Sequence, residues 1–85
     1  MKTKKLLKNF LVKVEVMDGE HAHFTQCLIA EPTEERAYDW ADSQKNLEAT
    51  FLYGDDLASV SLVCVKEITD AQAELLETLG VAYFI

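Results

Sequence analysis

From Phe10 to Val16 the apolar residues occupy even positions (Phe10, Val12, Val14, Val16), and from Ala22 to Ala30 even positions are again favoured (Ala22, Phe24, Leu28, Ala30). A period of two on both sides of a glycine predicts a β-hairpin. If the two even sets share one face, paired residue numbers sum to an even value and the loop has odd length. A three-residue loop Met17-Asp18-Gly19, with Gly19 left-handed, meets that condition and pairs Val16 with Glu20 and Val14 with Ala22. The same register turns His21 and His23 to the odd face with Lys13, Glu15 and Thr25, away from the apolar set.

Beyond Glu31 the period lengthens. Pro32 cannot extend a strand, Thr33 suits a helix N-cap, and Glu34 and Glu35 in the first turn complement the helix dipole. At 100° per residue, Ala37, Trp40, Ala41, Leu47 and Phe51 fall on one side, with Gln44 the only polar intruder, while Glu35, Asp39 and Asp42 fall opposite. One helix is expected to run to about Leu52 with Gly54 as its stop signal, although "TFLY" also has strand character.

From Ser59 to Ile68 the run "SVSLVCVKEI" is apolar at both parities between Leu62 and Val65, the pattern of a strand covered on both faces or lying centrally in a sheet. Thr69 to Gln72 then matches a capping box, with Ile68 and Ala73 placed for a hydrophobic staple. Leu75, Leu76 and Leu79 are expected to form the buried stripe of a short helix ended by Gly80. The ending "VAYFI" is apolar enough to pair as an edge strand or to pack on the core. The order is β-β-α-β-α with an optional final strand. It describes an α+β fold in which a small, largely antiparallel sheet packs two helices on one face. At 85 residues this is a single domain, preceded by a basic arm over residues 1–8.

Charge changes the picture. Eight Lys and Arg stand against fifteen Asp and Glu, and five of the eight bases (Lys2, Lys4, Lys5, Lys8, Lys13) precede the first acid, Glu15. The folded body is therefore strongly anionic behind a basic start. Such a body repels phosphate backbones and favours cationic partners, so no direct nucleic-acid binding is expected. Lys8 and Lys13 interrupt the apolar stretch that a signal peptide needs, so a cytoplasmic protein with no membrane association is expected.

Candidate chemistry is sparse. His21 and His23 could share a metal, but zinc needs three or four ligands and Glu15 is the only acid placed beside them, so no metal site is expected. Cys27 and Cys64 have no paired-ligand spacing and read as buried free thiols. The three glycines each have a turn or cap to explain them, and no phosphate-cradling loop or activated nucleophile is present, so neither a cofactor nor enzymatic activity is expected. Trp40 reads as core, and Tyr38, off the apolar face, as a possible partner anchor.

The second helix repeats the first: Asp70, Glu74 and Glu77 form a stripe opposite its leucines, as Glu35, Asp39 and Asp42 oppose Trp40 and Leu47. If both helices cover the same sheet face, their outer sides join into an acidic plate of six carboxylates, which Glu48, Asp55 and Asp56 extend. Like charges at these spacings cost a few tenths of a kcal/mol per pair, about the size of a helical ion pair, and few bases relieve them. The plate is thus a candidate surface for a basic protein partner.

With "FLVKVEVMDGE", "EERAYDWA" and "VKEITDAQAELL" assembled, the chain resembles the small acidic proteins carried by phages and plasmids, in plan over most of its length. The resemblance implies partner binding, with inhibitors of host defence such as anti-CRISPR proteins among those similar in size and charge. The expected function is a non-enzymatic protein-binding module, an inhibitor from a mobile element that engages a basic, nucleic-acid-binding partner through Glu35, Asp39, Asp42, Asp70, Glu74 and Glu77. The alternative is a structural homo-oligomer, a homodimer for example, assembled through a sheet edge or the apolar C-terminus.

Overall fold

The computed structural model of the chain describes residues 7–52 and 57–83. Most of the basic arm, the Gly54 stop signal, Asp55, Asp56 and the last two residues of "VAYFI" lie outside the described residues. Three antiparallel strands, β1 (Lys8–Asp18), β2 (His21–Glu31) and β3 (Ala58–Ile68), form a sheet in the order β2-β1-β3. The expected α+β class is the observed one. Lys8, assigned to the arm from sequence, already belongs to β1.

The hairpin is present, but its register is not the expected one. Asp18 pairs with His21, so the chain reverses over Gly19 and Glu20 alone, and Gly19 supplies the left-handed backbone at φ 67°. The three-residue loop is replaced by a two-residue turn, and the parity of β2 changes with it. Val16 stands opposite His23, Val14 opposite Thr25, Val12 opposite Cys27 and Phe10 opposite Ile29. Cross-strand partners share a face, so the odd residues of β2 turn inward and Phe24 turns out. The sequence is permissive here because β2 is apolar at both parities, with Cys27 and Ile29 alternating with Leu28 and Ala30.

A second departure lies in β3. It is an edge strand, not a central or doubly covered one. Its ladder with β1 is regular except where Lys13 pairs with Cys64 and Val14 with Leu62, leaving Val63 as the extra residue of a β-bulge. The inward side chains are therefore Val60 and Leu62 before the bulge and Val65 after it. The mixed parity read as double coverage is a change of phase.

The segment expected as one helix is two, α1 (Glu34–Ala41) and α2 (Gln44–Phe51). Thr33 caps α1, its hydroxyl accepting from Arg36 N at 3.1 Å. Ser43 restarts the helix as the N-cap of α2, accepting from Asn46 N at 3.3 Å, and Asn46 Nδ2 donates to the Trp40 carbonyl at 3.0 Å across the break. Gln44, the polar intruder on the sequence wheel, donates instead to the Val60 carbonyl of β3 at 2.8 Å. Both helices cover one sheet face. Ala37, Ala41, Leu47 and Leu52 close over Phe10, Val12, Val14, Val16, Cys27, Ile29, Val60 and Val65, with Trp40 and Phe51 at the margin.

The third helix, α3 (Asp70–Thr78), begins with the expected capping box, Gln72 N donating to Thr69 Oγ1 at 3.1 Å and Thr69 N to Gln72 Oε1 at 2.9 Å. It lies against the opposite sheet face. Strand side chains alternate, so Asn9 points away from its neighbour Phe10 and Leu28 away from Cys27 and Ile29. Asn9 Nδ2 donates to Asp70 Oδ1, and the Tyr83 hydroxyl donates to Asn9 Oδ1. Leu28 is fully buried outside the main core, and its N–H donates to the Ala82 carbonyl at 2.9 Å beside a parallel bridge to Tyr83. The end of the chain thus packs against the sheet, as expected for "VAYFI". The stripe expected on α3 is shifted: Ala73 is buried and Leu76 half-buried, whereas Leu75 and Leu79 face solvent. With Asp70 bonded to Asn9, α3 presents Ala73 to the sheet and leaves Ala71 exposed.

Candidate functional site

The two acidic stripes do not merge into one plate. Glu35, Asp39 and Asp42 are exposed around α1, on the helical layer over the main core, and Glu48 is exposed on α2. Asp70, Glu74 and Glu77 are exposed on α3, across the sheet. The six-carboxylate arrangement required both stripes on one side, and the position of α3 removes that condition. Tyr38 is 43% exposed on α1, the helix that carries this stripe.

The two halves differ in local construction. Arg36 lies within α1 and Lys45 within α2, so bases interleave with the carboxylates there. Asp42 is the C-cap of α1, an unfavourable position for an anion, offset by the N-terminus of α2 that begins two residues later. The sequence of α3, by contrast, holds no Lys or Arg. Its Asp70, Glu74 and Glu77 line a shallow groove of about 440 Å³ together with Asn9 and Tyr83. Among the described residues the one ion pair is Lys8 to Glu67 at 4.0 Å, which involves none of the six.

Asn9 and Tyr83 are neighbours of the α3 carboxylates that the helix stripes did not disclose. Asn9 carried no distinguishing signal: a polar residue at the odd parity of β1 reads as solvent-facing, as Lys13 and Glu15 do, whereas Asn9 is buried. Burial first, and then the charges of Glu77 and Asp70, hold the Tyr83 phenol above its ordinary value of 10.0. The hydroxyl therefore remains a neutral donor to Asn9, inside the field of two carboxylates. Asp70 is already engaged by Asn9; among the described residues neither the Glu74 nor the Glu77 carboxylate has an ion-pair partner.

The remaining candidates are dispersed. His21, opposite Asp18 at the turn, and His23, opposite Val16, both take the parity of the helical side, contrary to the face expected from the three-residue loop, and His23 lines a cavity with Phe51 and Leu52. Among the described residues no group of three or more His, Cys, Asp or Glu could hold a metal ion. Cys27 is buried and burial pushes its thiol up to about 12; Cys64, expected to be buried, is exposed because it stands opposite Lys13 on the side that α3 covers only in part. Among the described residues no helix is long and apolar enough to cross a membrane. Comparison with protein-family models, curated proteins and solved structures finds no match to the chain.

Proposed function

We propose that the protein is a non-enzymatic binding module that engages a basic protein surface with the acidic groove of α3, acting as an inhibitor from a mobile element on a nucleic-acid-binding partner. The observation that carries this is the groove itself: three carboxylates and a neutral phenol around one concavity, on a helix with no base to neutralise them. A Lys or Arg of the partner entering the groove meets Glu74 and Glu77 as charge-assisted acceptors. The stripe of Glu35, Asp39 and Asp42 contributes long-range attraction rather than contact, because the two stripes occupy opposite sides of the sheet.

Affinity capture from a bacterial lysate tests the proposal. The wild-type protein is expected to retain a basic partner at about 0.1 M salt, where charges act over about 10 Å, and to release it near 1 M, where they act over about 3 Å. Glu74→Lys with Glu77→Lys should abolish capture, while Glu35→Lys with Asp39→Lys should only weaken it. Undiminished capture by the α3 double variant would remove the groove from consideration.

A further inference from the structure

The two edges of the sheet are unlike. On β3 the ladder is broken by the Val63 bulge, the Val60 carbonyl accepts from Gln44, and Lys66 and Glu67 place charges beyond the bulge. These are devices that keep an edge strand from pairing with another strand. β2 has none of them from His21 to Ala30, a stretch without Lys, Arg, Asp, Glu, Pro or Gly. One half of its edge is closed from within: the Leu28 N–H donates to the Ala82 carbonyl beside the bridge to Tyr83. Residues two apart on a strand direct their backbone groups to the same side, so those of Ala22, Phe24 and Gln26 also point away from β1. No described segment pairs with them.

A cavity flanks this open half on each face. Towards α3, Phe24 and Gln26 line one of about 430 Å³ with Lys13, Leu79 and Val81. On the helical side, His23 and Thr25 line one of about 390 Å³ with Phe51 and Leu52. Thr25 borders both. A strand laid along the edge sends its side chains alternately to the two faces, so successive residues reach one cavity and then the other. Phe24, 60% exposed, and Leu79, 72% exposed, give the first cavity apolar walls. Its one charge among the described residues is Lys13, whose Nζ lies 5.0 Å from the centre of the Phe24 ring. Glu15, opposite Phe24 in the ladder, lies outside that lining.

We propose that the open half of β2 accepts an extended segment of a partner protein as a further strand. An aliphatic side chain of that segment packs against Phe24 and Leu79, a carboxylate two residues from it meets Lys13, and the intervening side chains reach the helical-side cavity beside His23 and Thr25. Main-chain hydrogen bonds supply the affinity and the two cavities the selection. A second copy of the chain fits less well: Ala82 and Tyr83 already lie along the edge at Leu28 and Val81 beside Gln26, so β2 against β2 would overlap only over Ala22 to Thr25. The contact is small, of the weak and transient kind, with half-saturation expected at about 100 µM. The edge shares no lining residue with the α3 groove, and neither proposal depends on the other.

The probe is a fluorescein-labelled peptide, Thr-Val-Glu-Val-Leu-Val-Thr, whose Glu and Leu share one face when extended and whose Val residues share the other. Fluorescence anisotropy should show it binding the wild-type chain at about 100 µM, with NMR amide shifts concentrated at Ala22, Phe24 and Gln26. Two N-methylated forms, one blocked at Glu and Leu and the other at the Val residues, separate the two edges of the bound strand. The form blocked on the edge that faces β2 should bind at least about tenfold more weakly, and the other should still bind. Lys13→Glu, checked for folding by circular dichroism, should weaken binding about tenfold, and Lys in place of the peptide's Glu should recover it. Glu74→Lys with Glu77→Lys should leave the shifts at Ala22, Phe24 and Gln26 in place. A peptide that fails to bind at about 1 mM, binds the wild-type chain equally well with Lys in place of Glu, or keeps its affinity in both N-methylated forms overturns the proposal. So do Phe24 and Gln26 amides already protected from exchange without peptide, the mark of an edge closed by a second copy.

Discussion

The same three strands present two unlike faces. On one side every inward position from Phe10 to Val16 is apolar, and α1 and α2 close over it. On the other, only the end at Asn9 and Leu28 is covered, by one short helix and the last turn of chain, and the remainder mixes Lys13 and Glu15 with Phe24 and Met17. Stability is concentrated on the first face. The second face is where apolar and charged groups remain available to other molecules, and its fastening to α3 is mixed: the hydrogen bonds among Asn9, Asp70 and Tyr83 add to the apolar contacts of buried Ala73 and Leu28 and half-buried Leu76.

The contrast is most sharply tested with one residue from each face. Phe10→Ala removes a fully buried ring and should cost about 3–5 kcal/mol in denaturant unfolding, whereas Phe24→Ala should change stability by less than about 0.5 kcal/mol. Similar losses at both sites would mean the second face is as well covered as the first. Next in size, Asn9→Ala removes the acceptor of the Tyr83 hydroxyl and the donor to Asp70, and should cost about 1 kcal/mol or slightly more. Its mark in hydrogen exchange is faster exchange in α3 with unchanged protection in α1 and α2; uniform loosening would show that the two faces unfold as one.

The smallest effect concerns pH. Because the folded state holds the Tyr83 proton more tightly than the unfolded chain, stabilisation from the neutral phenol is fully present below pH 10.0. It is lost as pH rises through the higher folded-state value. Phenol titration by ultraviolet absorbance should show one tyrosine ionising late. In Glu77→Gln that tyrosine should ionise nearer the ordinary value, and Tyr83→Phe should remove the late step altogether.

Much of the covered face was legible in the sequence because alternation and helical spacing report burial directly: Phe10 to Val16, Ala37, Ala41 and Leu47 all lie where their periods placed them. The caps at Thr33 and Thr69 were legible for a local reason, since a side-chain oxygen three residues from its N–H needs no tertiary information. The same signal at Ser43 was hidden inside a continuous apolar stripe. Register was not legible, because β2 offers apolar residues at both parities and a two-residue turn needs only Gly19. The side taken by α3 was not legible either. A stripe of leucines fits either sheet face, and the choice rests on Asn9, whose single amide reaches 61 residues along the chain to Asp70. That choice separates the acidic groove from the α1 stripe.

The bulge at Val63 has an evolutionary meaning. Lys13 pairs with Cys64 and Val14 with Leu62, so Val63 is surplus to the ladder. A chain lacking it would join Leu62 to Cys64 in unbroken pairing, with Val60, Leu62 and Val65 still opposite their present partners. This is the one site within the sheet where the gene can shed a codon without reversing inside and outside along the rest of the strand. Length variants of this fold should therefore differ here sooner than anywhere else in the three strands.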